Sequence, residues 1–203
     1  MSQLITLVSV IFLLVGCQAH VRLNPPPLAN APIKERVKAY DELKPIVHRE
    51  LYVYNGYGAA YQSLSSLTLG SGQRVYYPED LLPVVGQDNK FADWTRQYQR
   101  YNNIGTTVMW SGLGVELLGC SLALAGLNDS IKTPGSGFST TIVVGYGLLF
   151  AGLIGVLTGY MFETKAIDSK ATAFDLYDSV LLKRLELART GTNTVLVPTN
   201  QVE

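Results

Sequence analysis

Two stretches decide the fold: residues 104–127, IGTTVMWSGLGVELLGCSLALAGL, and residues 137–162, GFSTTIVVGYGLLFAGLIGVLTGYMF. The first carries a single charge, Glu116, and the second carries none. At about 1.5 Å per residue, each is a helix longer than the roughly 30 Å hydrocarbon core of a bilayer. Between them, residues 128–136 read NDSIKTPGS, a polar turn. The pattern predicts a membrane helical hairpin and a mainly α fold.

The glycines of these stretches fall in rows. Gly105, Gly112, Gly119 and Gly126 are seven residues apart, and so are Gly145, Gly152 and Gly159. Seven residues is two turns at about 3.5 per turn, slightly under the natural period, so a strict seam implies a left-handed crossing. Small residues let two backbones approach where lipid removes the ordinary hydrophobic drive. The stripe either packs the hairpin on itself or packs it against further copies. Ala151, Gly155 and Gly159 form a second small row, suited to another subunit.

The register runs on past the apolar stretches. Counting back from Gly105 gives Tyr98 and Phe91, with companions Trp94, Tyr101, Val108, Val115 and Leu122. Counting forward from Gly159 gives Ala166, Ala173, Val180 and Leu187. Around a turn centred near Lys132, Gly112 faces Gly152, Gly105 faces Gly159, and Tyr98 faces Ala166. Helix 1 is expected over residues 89–127 and helix 2 over 137–190. The second also carries an apolar set, Ile167, Ala171, Phe174, Tyr177, Leu181, Leu185 and Ala188, and Arg189 with Gly191 marks its end. Residues 191–203 read as a tail in which Thr194 to Val197 pairs as a strand or not at all. In its composition the hairpin resembles the glycine-zipper lipoproteins of the bacterial envelope.

Ahead of the hairpin, residues 31–88 read as a small mixed region. Ile33 to Leu43 suits a short helix that stops before Pro45. Leu64, Leu67 and Leu69, then Gly70-Ser71-Gly72, then Gln73 to Tyr77, suit two short strands around a turn. Tyr77-Pro78-Glu79-Asp80 suits a short helix start. This stretch is too short for a sizeable core of its own.

At the N-terminus, residues 1–16 read MSQLITLVSVIFLLVG. The apolar run is too short to span a bilayer comfortably and has the length of a secretory signal. It ends in Leu14-Val15-Gly16-Cys17, which resembles the lipobox of bacterial lipoproteins. The resemblance implies cleavage before Cys17, a diacylglycerol on its thiol and acylation of the new amine, giving a palmitate-type anchor of more than one chain. Gln18 after the cysteine resembles an outer-membrane address, with the soluble parts in the periplasm. Residues 17–30, containing Pro25-Pro26-Pro27, then read as an extended tether. The signal has no Lys or Arg before Arg22. The alternative is therefore an uncleaved signal anchor and a three-span inner-membrane protein, with Arg22, Lys34, Arg36 and Lys38 in the cytoplasm.

Composition narrows the function classes. The chain has 203 residues, a formal net charge of zero and 16% charged residues, which lacks the basic surplus of a nucleic-acid binder. Its two cysteines, Cys17 and Cys120, give no disulfide framework. Cys120 lies in the first span and reads as a small apolar residue. His20 and His48 have no metal-site spacing, and there is no nucleophile elbow, phosphate loop or dinucleotide fingerprint. The tyrosines from Tyr52 to Tyr61 and at Tyr76 and Tyr77 read as packing in a small cap or as a binding surface.

Glu116 is the residue with the most chemistry, since an ionised acid at mid-membrane costs roughly 2.5–3.5 kcal/mol on insertion scales. It is either a pore or ion-path residue or a protonated carboxyl hydrogen-bonded to a neighbouring helix. The sequence thus predicts a non-enzymatic structural or interaction lipoprotein without a cofactor. Its partners would be membrane lipid and further copies or other envelope proteins. The alternative is a subunit of a pore or transport assembly.

Overall fold

The computed structural model describes residues 20–27, 30–53, 60–86, 88–132, 140–190 and 195–198. The chain forms two compact units: residues 89–173, and the residues before 89 together with those from 174 onward.

The unit of residues 89–173 is a helical hairpin. Helix α3 covers Asn89–Lys132 and helix α4 covers Thr140–Arg184, the latter running on into the other unit. (Helices α1 and α2 belong to the other unit and are given below.) Both long helices are apolar and long enough to cross a membrane. Helix α3 ends five residues beyond the expected Leu127, and the turn residues 133–139 lie outside the described ones.

Backbone contact at glycine holds the pair together. A Cβ on Gly112 would come within 2.8 Å of the Gly152 carbonyl oxygen, and one on Gly152 within 2.7 Å of the Gly112 carbonyl oxygen. Gly105 stands in the same relation to Gly159, and Gly119 to Gly145. Gly126 meets Ile142 and Thr141 instead. One heptad further, the register sets Tyr98 opposite Ala166, and both are buried. Phe91, Ala173 and Val180 are buried as well; Leu187, expected to continue the row, is buried but lies past the end of the helix at Arg184.

The companions Trp94, Tyr101, Val108 and Val115 are half-buried, whereas Leu122 is exposed. The second small row does not stay free for a neighbour. A Cβ on Gly155 would lie 2.9 Å from the Gly112 Cα, so Gly155 and Gly159 both serve the hairpin itself, and only Ala151 is exposed. Gly114 and Gly147 have nothing within 4 Å of an added Cβ.

The other unit draws on both ends of the chain. Helix α1, Ile33–Leu43, buries Arg36 and Tyr40. It stops before Pro45, which has no N–H to continue the ladder. Strands β1 (Pro45–Val53), β2 (Ala60–Leu69) and β3 (Arg74–Val75) form an antiparallel sheet in that order. Pro45 pairs with Leu69 and Val53 with Ala60, with a register shift between His48 and Glu50. Leu67, Leu69 and Val75 point inward. Gly70 is required where β2 ends, because a side chain there would run into the Asp41 carbonyl, and its N–H donates to the Lys44 carbonyl.

A 3-10 turn, Pro78–Leu81, then leads into the single-turn helix α2, Leu82–Val85. Gly86, at φ 72°, stops α2 with a backbone shape that other residues rarely adopt.

Residues 174–185 complete this core, correcting the view of residues 31–88 as a region on its own. Phe174, Tyr177, Leu181 and Leu185 are buried. The Tyr177 hydroxyl donates to the Leu43 carbonyl (3.1 Å), and the Tyr40 hydroxyl donates to Asp178 (2.8 Å). Burial, and then the neighbouring Asp178 charge, push the Tyr177 phenol well above its usual range. Ile167, expected on this apolar face, is exposed.

Helix α4 ends at Arg184, not near residue 190. Arg36 Nη1 donates to the Leu185 carbonyl (2.8 Å), placing a cation on the helix C-terminus where the macrodipole favours it. Glu186 turns the chain at φ 49°. Strand β4, Leu187–Thr190, then pairs antiparallel with β5, Val195–Pro198.

The glycine contacts predict opposite effects for one substitution. Gly152→Ala or Gly119→Ala should destabilise the hairpin by about 1–3 kcal/mol, because backbone must move. Gly114→Ala and Gly147→Ala should stabilise it by about 0.5–1 kcal/mol, since helix glycine is replaced in open space. Equilibrium unfolding in mixed micelles checks this, and equal effects at all four positions would contradict the packing.

Candidate functional site

Two places carry chemistry, one in each unit. In the two-ended unit, the segment after the cysteine is fastened down. Pro78 starts the 3-10 turn that buries Asp80, whose side chain is 7% exposed. Asp80 Oδ1 lies 2.8 Å from His20 Nδ1, and Asp80 Oδ2 accepts the Val21 N–H at 3.1 Å. The His20 ring stacks on Tyr77, with centroids 4.5 Å apart. Leu23 and Pro26 are buried. Residues 20–27 are therefore part of the folded unit, and the extended-tether expectation is corrected for them. Between this segment, α1 and the β2–β3 turn lies an open cavity of about 370 Å³ that touches Glu42, Ser71 and Gln73.

His20 is electrostatically coupled to its partner. The hydrogen bond to Asp80 raises its pKa above 6.5, opposed by some desolvation and helped by the charges of Asp80 and Glu79. No local pattern marks this clasp, because its two halves are sixty residues apart in sequence. The only sequence signal was the Pro78-Glu79-Asp80 turn, which places the carboxylate but not what it holds.

In the hairpin, Glu116 lies at the glycine seam. Its Cβ would be 2.8 Å from a Cβ on Gly152, so its base faces α4, and the side chain is half-buried. Among the described residues its carboxyl has no hydrogen bond or ion pair, so the expected bond to a neighbouring helix is not made within the hairpin. Two exposed hydroxyls of the hairpin bond back to their own helices: Ser121 donates to the Leu117 carbonyl and Thr158 to the Ile154 carbonyl.

At the other end of the apolar stretches, Tyr101 and Phe162 stack at 6.3 Å. Lys165 Nζ stands 5.9 Å from each ring.

Gly105, Gly112, Gly119, Gly145, Gly152 and Gly159 are brought together pairwise. Cys17 and the signal lie outside the described residues, as do all of the Tyr52–Tyr61 side chains. Cys120 is exposed on α3. Among the described residues no group of three His, Cys, Asp or Glu side chains gathers where a metal ion could bind. The chain matches no protein-family model, no curated protein and no solved structure.

The His20–Asp80 pair gives a pH dependence with a definite sign. A raised imidazole pKa in the folded state adds stability that is complete below the unfolded value near 6.5 and is lost as pH rises through the folded value. Hydrogen-exchange protection of the Val21 amide should therefore fall as pH rises above about 6.5. His20→Ala should remove that pH dependence. Unchanged protection across the range in the native chain would contradict the clasp.

Proposed function

We propose that this chain is a bacterial envelope lipoprotein with a structural or interaction role. It would be anchored by acyl chains on Cys17 in the outer membrane, with its hairpin embedded in the bilayer and its two-ended unit in the periplasm. It acts without a cofactor and without enzymatic chemistry, and associates with lipid and with further copies or other envelope proteins.

The observation that carries this reading is the inverted surface of the hairpin. Its contact face is glycine and alanine, while its large apolar side chains point away: Leu117 is 68% exposed and Phe150 67%. In water such a pair would leave its apolar area unburied, at about 25 cal/mol per Å². In lipid the same arrangement is the expected one, with close backbones inside and apolar side chains outside. The ring pair Tyr101–Phe162 beside Lys165 supports a boundary where the apolar stretches end. The heptad glycines, together with the lipobox residues Leu14 to Cys17, support the same reading.

A second reading, a pore or transport subunit, is favoured by one observation. Glu116 is half-buried at the seam and finds no partner within the described residues. An oligomer that set several such carboxyls around a path would give them one another and water.

Mass spectrometry of the mature N-terminus tests the first reading. It predicts a chain beginning at Cys17 and carrying acyl chains, and an intact Met1 would overturn it. Conductance of the purified protein in planar bilayers separates the second reading. Glu116→Gln should leave permeability and assembly unchanged if the role is structural, and a conductance in the native chain that this substitution abolishes would favour the pore.

A further inference from the structure

The cavity beside the 20–27 segment, within the two-ended unit, has two fastened walls. Every residue from Arg22 to Pro27 lines one of them. That segment is held by the His20 and Val21 bonds to Asp80 and by the burial of Leu23 and Pro26. The other wall is α1 and the β2–β3 turn. There the Ser71 N–H donates to the Glu42 carbonyl (2.7 Å) and the Gly70 N–H to the Lys44 carbonyl (2.9 Å), which ties the turn to the end of the helix. At about 370 Å³ the cavity is at the lower end of the roughly 300–1,000 Å³ range in which small molecules bind.

The lining narrows what fits. Arg22 is exposed and has no hydrogen bond or ion pair among the described residues. Glu42, on the other wall, stands 3.9 Å from Lys38 with both side chains largely exposed, and an exposed pair of this kind holds its carboxylate only weakly. The cavity therefore offers one cation and one anion, together with the neutral polar groups of Asn24, Ser71 and Gln73. That balance suits neither a phosphate-rich anion nor a simple cation. Among the described residues no aromatic side chain lines it, so a sugar ring has no surface on which to stack. Proline rings supply the carbon surface.

We propose that this cavity binds a short zwitterionic peptide, with its carboxylate on Arg22 and its ammonium on Glu42. A guanidinium fork matches a carboxylate with two parallel hydrogen bonds. The Glu42 carboxylate accepts from the ammonium, the amide and hydroxyl groups meet the peptide unit, and the prolines cover its short side chains. The inference does not depend on how the chain is anchored.

The full-length protein in mixed micelles is titrated with dialanine by calorimetry, and exchange of the Val21 amide is read alongside. Binding is expected, with a rise in Val21 protection, because a ligand that needs the folded wall stabilises it. N-acetyl-dialanine and dialanine amide each lack one charged end and should bind about tenfold or more weakly, as should dialanine itself to Arg22→Gln or Glu42→Gln. In Arg22→Gln the free acid and the amide should bind alike, which separates a lost contact from a disturbed fold. His20→Ala combined with Asp80→Asn unfastens one wall and should abolish binding, although neither side chain lines the cavity. Absence of both heat and added Val21 protection at about 10 mM dialanine would overturn the inference. Equal affinity for the free and the blocked peptides would overturn it too, as would full affinity in the unfastened variant.

Discussion

The close approach of two backbones at glycine is the constraint on which the hairpin depends. At Gly112 and Gly152, and again at Gly119 and Gly145, each backbone lies where the other's side chain would have been. In water, two helices are pushed together by burying large apolar side chains. Here those side chains are turned away, so what remains is dispersion between tightly packed backbones, small per atom and large in sum. That attraction falls off within a fraction of an ångström, so the contact must recur at every heptad to act. It does, and the row continues through Ala166 and Ala173, which keep the side chain to one methyl group.

The two-ended unit solves a different problem. Residues 31–88 alone offer only one short helix, a small sheet and a single-turn helix. The last turns of α4 add Phe174, Tyr177, Leu181 and Leu185, the large side chains that such a sheet needs on its inner face. Polar groups fix the arrangement by direction. Arg36 reaches the Leu185 carbonyl, and Arg184 reaches the carbonyls of Pro83 (2.9 Å) and Val84 (2.6 Å). Each guanidinium thereby satisfies helix-end carbonyls that have no partner within their own helix. Of the heptad positions counted forward from Gly159, Val180 is the last on α4, and Leu187 lies past the helix end on β4.

Much of this was legible in the sequence, because it depends on local spacing. The seven-residue glycine rows gave the hairpin and its register. Pro45 gave the end of α1, and Gly70-Ser71-Gly72 gave the β2–β3 turn. What was not legible depends on residues far apart in the chain. Strand β1 carries His48-Arg49-Glu50 in its middle, which breaks any alternation of apolar and polar residues. The stop of α4 has no glycine or proline; it is set by a left-handed Glu186 and by an arginine 149 residues earlier. The same holds for the His20–Asp80 clasp, where a proline-rich segment that reads as a spacer is fixed by one buried carboxylate. Spacing also overreached: Leu122 and Ile167 fit the apolar pattern yet face outward, because a glycine seam is narrower than a side-chain seam.

The central claim is that one heptad register, set at the glycines, continues along both helices beyond the apolar stretches. Disulfide crosslinking in the full-length protein tests it most directly, since bridged Cα atoms must lie within about 7 Å of each other. In a Cys120→Ala background, Tyr98→Cys with Ala166→Cys should crosslink readily, and Tyr98→Cys with Ala173→Cys should not. Efficient crosslinking of the second pair, with none of the first, would contradict the account.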